Sequence, residues 1–134
     1  MSEKNLEVIR DQYAAVNERD WDRAMGHYAE DVELVVPTGG IRGGTFRGLD
    51  AVGEWFGDWL SSFASDARFD LKEVTELADG GVLVVADHHA RGRASGVEVR
   101  GDVVWVYRLR DGKITQVQAY DSRADALEAA GDQE

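Results

Sequence analysis

No cysteine occurs among the 134 residues, which excludes disulfides, thiolate nucleophiles and cysteine metal sites. Positive charge is scarce. Lys and Arg number 15 against 26 Asp and Glu, for a net charge of −11. Nucleic-acid phosphates and anionic membrane surfaces both need a basic face, so neither is expected as a partner. No run of about 18 apolar residues exists, and the charged N-terminus has no apolar leader. The expectation is a cytoplasmic chain. Linkers, repeats and low-complexity segments are also missing, so residues 1–134 are expected to form a single domain.

What is present begins with an amphipathic helix over residues 3–19, where Leu6, Ile9, Tyr13 and Val16 share one stripe. A short helix over 21–29 is expected to bury Trp21, Ala24, Met25 and Tyr28. Val32 to Val36 reads as a strand, stopped by the only proline, Pro37, which cannot donate to a ladder. The glycine-rich stretch from Thr38 to Gly48 lacks the Gly-Lys-Ser/Thr of a phosphate loop and the Rossmann spacing. It reads as a flap or irregular strand at a pocket mouth, with Arg42 and Arg47 facing either solvent or an anionic substrate. Val52, Trp55, Phe56, Trp59, Leu60 and Phe63 then follow helical spacing, with Asp50 as the expected N-cap. Such a stripe is core first. It also suits a roof over an aromatic-walled cavity.

From Phe69 onwards the chain reads as four antiparallel strands. Turns at Asp79-Gly80 and Asp111-Gly112 separate them, the latter being the strongest hairpin signal in the chain. Alternation puts Val82, Val84, Ala86, His88 and Ala90 on the covered face of one strand, and Asp87, His89 and Arg91 on the other. Val103, Trp105, Tyr107 and Leu109 share a face of the next strand. Val117, Ala119 and Asp121 share a face of the last. Ser122 to Asp125 resembles a capping box, and Gly131 suits the residue after the end of a final short helix.

Asp121 is then the leading acid–base candidate, since an inward carboxylate in an apolar cavity has a raised pKa. Its alternative is a strand-end residue in water or a cap beside Ser122. His88 is the second candidate, because a buried imidazole must place both ring nitrogens. Its alternative is a satisfied core histidine. His88 and His89 point to opposite faces and cannot share a metal, so no metal site is expected. Tyr13, Trp105 and Tyr107 are expected wall residues, the phenols being possible donors to a ligand carbonyl. The side of the chain that His27 faces is left open.

The order helix, short helix, strand, helix, four-strand meander resembles the NTF2-like superfamily and its SnoaL-like branch. The local stretches DWDRAMGHYAEDVEL, GLDAVGEWFGDWLSSF, ARGRASGVEV, YRLRDGKI and AYDSRADALEAAG carry that resemblance in order along nearly the whole chain. The resemblance implies an α+β cone, with a strongly curved, mainly antiparallel sheet wrapped around three helices and an interior apolar pocket. It also implies homodimers paired through the open sheet face. The isomerase carboxylate position of this fold falls on Val36, its second acid on Trp105, its tyrosine on Gln12 or Tyr13, and the cyclase aspartate on Ala119. Arg100-Gly101-Asp102 matches an epoxide-hydrolase spacing but reads better as a turn entering a strand.

Two functions follow as expectations. One is a cofactor-independent enzyme performing isomerisation, cyclisation or dehydration on a small apolar carbonyl compound. Asp121 would be its base, His88 the partner, and Tyr13 or Tyr107 the donor, with Trp55, Trp59, Trp105, Val36 and Ala119 around the substrate. The other is a ligand-binding or dimerisation module without chemistry. Epoxide opening is a weaker third.

Overall fold

A computed structural model describes residues 2–37, 43–61, 63, 67–92 and 94–131. The chain opens with α1 (Ser2–Asn17), which buries Ile9, Gln12, Tyr13 and Ala15. Arg19 ends it in a left-handed conformation (φ 62°). There the N–H of Asp20 donates to the Ala15 carbonyl at 2.9 Å and the N–H of Arg19 to that of Val16 at 3.1 Å, a Schellman closure without the usual glycine. The Asn17 side-chain amide bonds both backbone groups of Phe69, at 2.7 and 2.8 Å, and so ties the end of α1 to the sheet.

The second helix, α2 (Trp21–Met25), is shorter than the spacing suggests. Asp20 caps it, and the chain becomes strand at Tyr28 in β1 (Tyr28–Val36). Trp21, its first residue, is 45% exposed rather than core. Of the glycine-rich stretch, residues 44–47 form β2 (Gly44–Arg47), antiparallel to the end of β1. Residues 38–42, with Arg42, lie outside the described residues. Arg47 is bound to Glu33 at 2.8 Å. The next helix, α3 (Leu49–Ser61), begins two residues earlier than an Asp50 cap implies, so Asp50 is not its cap. It lies in the first turn, where a carboxylate complements the exposed N–H groups.

The remaining strands are β3 (Arg68–Glu76), β4 (Val82–Arg91), β5 (Glu98–Arg110) and β6 (Lys113–Tyr120). They complete a six-stranded sheet of order β2-β1-β6-β5-β4-β3, in which β1 and β6 alone run parallel. Register shifts interrupt the β1/β6, β3/β4 and β5/β6 pairings. Such bulges bend strands and increase twist, which suits a sheet that curls around helices. The β5–β6 turn is as expected: Asp111 (φ 52°) and Gly112 (φ 78°) both take positive φ, and Arg110 pairs with Lys113. Arg100-Gly101-Asp102 is not a turn but part of β5 itself.

The two faces of the sheet bury different cores. On the concave face Val82, Val84, Ala86, Trp105, Tyr107, Ile114 and Val117 pack with Ile9 and Tyr13 of α1 and Val52 and Trp55 of α3. On the other face Leu83, Val85, Val104 and Val106 pack with Ala126 and Leu127 of α4 (Arg123–Ala129). Ser122 caps α4 by accepting from the Asp125 N–H at 3.1 Å, and Gly131 follows it at φ 78°. α4 thus packs on the apolar patch of Leu83, Val85, Val104 and Val106 on this outer face.

Candidate functional site

Between α1, α2, α3 and the concave sheet face lies a cavity of about 520 Å³. Its wall is aromatic. Trp59 packs against Trp105 (ring centroids 5.9 Å apart) and Phe69 (5.8 Å), and Phe56 packs against Trp105 (5.3 Å). Gly53 and Gly57, one helical turn apart on α3, leave that helix bare where it meets the cavity.

Polar groups enter from α1, β1 and β5. The Tyr13 and Tyr107 hydroxyls are 2.7 Å apart, and the Gln12 amide donates to the Tyr28 hydroxyl at 2.8 Å. Burial pushes all three phenols above their ordinary range, and for Tyr107 the neighbouring phenols add to it. They remain protonated donors at neutral pH. In a phenol–phenol pair one hydroxyl hydrogen is used between the rings and the other is left over. The Tyr13–Tyr107 pair can therefore donate one further hydrogen bond. Arg19 is the charged group among the described lining residues. Its guanidinium donates to the backbone carbonyls of Val16 and Ala67.

Four of the expected site residues line this cavity together: Tyr13, Trp59, Trp105 and Tyr107. The others do not. Asp121 is exposed, because β6 ends at Tyr120 and the chain turns at once into the Ser122 cap. Alternation would have aimed it inward only had the strand continued. Trp55 is buried in the concave core against Phe46 and Phe56 and is not part of the lining. Val36 and Ala119 are half-buried supports of the concave core and not part of the lining. His88 is on the covered face, as alternation requires, and is 5% exposed. It stands behind the wall, stacked on Phe69 at 4.6 Å and flanked by Phe63 at 4.9 Å and Trp59 at 5.2 Å. Desolvation lowers its pKa and favours the neutral ring.

The remaining charged groups lie elsewhere. His27 holds Asp11 at 2.7 Å in a surface cluster with Arg23. Arg23, and then His27, keep the Asp11 carboxyl far below the usual range. His89 sits between Asp70 (3.2 Å) and Asp87 (3.0 Å) on the outer face. Arg100 pairs with Asp87, and Asp102 with Lys72, on that same face. The epoxide-hydrolase spacing thus points away from the cavity. Among the described residues no group of three or more His, Asp or Glu side chains is arranged to hold a metal.

Gln12, as a polar lining residue, and Tyr28, Gly53 and Gly57 escaped the sequence reading. Tyr28 was hidden by helical spacing that continues past the point where α2 stops. The four-residue spacing of the two glycines beside the aromatic stripe of α3 was the available signal for Gly53 and Gly57.

A family model for the SnoaL-like domain matches residues 9–117, and the chain belongs to that family. An uncharacterized protein of Mycobacterium tuberculosis is 28% identical over 125 residues, spanning 93% of this chain and 94% of the relative. Among solved structures, Bal32a from a soil-derived mobile gene cassette superimposes with a TM-score of 0.80 at 20% identity, over 96% of this chain and 97% of that one. TerC, co-crystallized with polyporic acid, superimposes with a TM-score of 0.75 at 25% identity, over 95% and 97%. The NTF2-like α+β cone is the fold of this chain. No helix among the described residues is long and apolar enough to cross a membrane.

Proposed function

We propose that this protein binds a small, largely apolar aromatic molecule that carries a hydrogen-bond-accepting oxygen. One observation carries the reading: a phenol pair with a hydrogen to spare, set in an aromatic cavity of about 520 Å³. The size falls within the range of small-ligand sites, which are apolar with a few placed polar groups. No carboxylate or histidine is among the described lining residues, which favours binding over acid–base chemistry. Co-crystallization of TerC with polyporic acid supports a small-molecule ligand on this fold.

The test is isothermal titration calorimetry with benzophenone, an apolar aromatic ketone. A Cβ added at Gly57 would meet nothing within 4 Å, so the site accepts a side chain that projects into the cavity. Wild-type protein should bind the probe saturably. Gly57→Leu should weaken binding at least about tenfold by filling the space, and Gly57→Ala should bind nearly as wild type. Absence of saturable heat, or a Leu variant that binds equally well, overturns the reading.

A catalytic reading has one specific observation in its favour, namely that protonated phenols can stabilise a developing oxyanion. Isomerisation, cyclisation or dehydration beside a carbonyl also needs a base. His88 is the nearest described histidine, one aromatic layer away. Exchange of α-protons of acetophenone in D2O, followed by NMR, should then be accelerated by the wild type and abolished in Tyr107→Phe. Equal exchange with and without protein rejects catalysis.

A further inference from the structure

Two buried side chains of the described residues are polar or charged, Gln12 and His88, each 5% exposed. Gln12 has its partner in Tyr28. The Nε2 atom of His88 is buried with no hydrogen-bond partner. Leaving a buried polar nitrogen unsatisfied is destabilising, and a phenylalanine would fill the same aromatic niche without that cost. The imidazole therefore calls for a reason beyond packing.

Its surroundings supply one. Phe69, Phe63 and Trp59 pack directly on the His88 ring, and all three also line the cavity. His88 is separated from the cavity by a single layer of rings. Phe69 is common to both polar groups, 4.6 Å from the His88 ring and 6.0 Å from the Tyr13 ring. The site thus has a donor pair, Tyr13–Tyr107, at its wall, and one ring layer behind that wall an unmatched imidazole nitrogen.

We infer that His88 is the recognition group of an inner subsite, where its Nε2 accepts a hydrogen bond from a hydroxyl of an aromatic ligand whose other oxygen lies on the Tyr13–Tyr107 pair. The ligand class is accordingly a hydroxylated aromatic carbonyl compound. This inference rests on the pocket reading above and narrows it. Entry to the subsite requires the Trp59 or Phe63 ring to turn aside. Phe63 lies two residues beyond the end of α3, held to Gly92 by an isolated bridge. The neutral state favoured by burial leaves one ring nitrogen as an acceptor. A proton on Nδ1 makes that acceptor Nε2.

The experiment compares benzophenone with meta- and para-hydroxybenzophenone by calorimetry on wild type, His88→Phe and His88→Gln. The Nε2 resonance of His88 is followed in parallel by ¹⁵N NMR. On wild type at least one hydroxylated probe should bind about tenfold or more tightly than the parent ketone. His88→Phe should reduce that advantage, taken as the ratio of the two probes' affinities on the same protein, to less than about twofold, and His88→Gln, whose amide oxygen accepts, should keep part of it. The Nε2 resonance should move with the hydroxylated probe and stay fixed with the parent.

Equal affinities on wild type, an advantage that persists in His88→Phe, or an Nε2 resonance indifferent to the hydroxyl would each overturn the subsite. The pocket reading would then survive, with a buried water as the imidazole's partner. If no probe binds at all, the pocket reading fails and takes the subsite with it.

Discussion

His88 and His89 are consecutive in β4, share a residue type, and occupy opposite environments. His88 is packed among Phe63, Phe69 and Trp59 with Nε2 unpartnered. His89 is half-buried between the Asp70 and Asp87 carboxylates, with Arg100 bound to Asp87 beside it. Period-two alternation alone separates them, one facing helices α1 to α3 and the other the surface beyond α4. The concave face is an aromatic wall with few polar groups. The outer face places ion pairs around a small apolar patch. Polar side chains are therefore informative on the first face and ordinary on the second.

The largest expected effect tests whether the aromatic wall is structural as well as binding. Trp105→Ala removes a side chain 9% exposed and in contact with Phe56, Trp59 and Tyr107. It should cost about 3–5 kcal/mol in urea unfolding. A loss below 1 kcal/mol would mean the wall collapses freely and is not a preformed cavity.

The next concerns the inner histidine and pH. Desolvation lowers the folded-state pKa of His88 below its ordinary 6.5, so below that value the unfolded chain binds the extra proton first. Its contribution to stability is present above pH 6.5 and is lost as pH falls from there to the lowered folded value. The slope in that window is at most about 1.4 kcal/mol per pH unit. His88→Phe should remove this component and be as stable as wild type or more so at neutral pH. Parallel stability-versus-pH curves for the two proteins would count against it.

The smallest effect belongs to the outer face. Arg100 is the main cause of the lowered pKa of Asp87, ahead of His89. Arg100→Gln should raise the Asp87 pKa towards the ordinary carboxylate range, read by ¹³C NMR of the side-chain carboxyl, with no measurable change in the unfolding midpoint. An unmoved Asp87 resonance would show that the ion pair does not persist in solution.

Much of the fold could be read from local chemistry. The Asp111-Gly112 turn, the alternation that places Val84 and His88 on one side, and the aromatic stripe of α3 all survive in three dimensions, because each depends on near neighbours. The site was harder, for reasons that differ by residue. Asp121 fails because strand parity says which way a side chain would point and not where the strand stops, and the stop is set by Ser122 capping α4. Trp55 fails because α3 is apolar on two sides. Phe56 and Gly57 meet the cavity, while Trp55 meets Phe46 of the edge strand. Tyr28 was hidden by correct helical spacing in a helix that ends early. For Val117 and Ala119 the face assignment of β6 holds, because both lie beyond the register shift that lets Ile114 and Val117 both point inward.

The indoles have a spectroscopic consequence. Trp55, Trp59 and Trp105 form a continuous set, with centroids 5.7 and 5.9 Å apart in sequence, while Trp21 is 45% exposed at the cavity rim. Transition dipoles at such spacing couple, so near-ultraviolet circular dichroism should report the three as one chromophore whose sign pattern changes with any shift of the wall. An aqueous quencher such as iodide should reach Trp21 first. The chain thus carries two independent optical channels, one for the rim and one for the interior, without any added label.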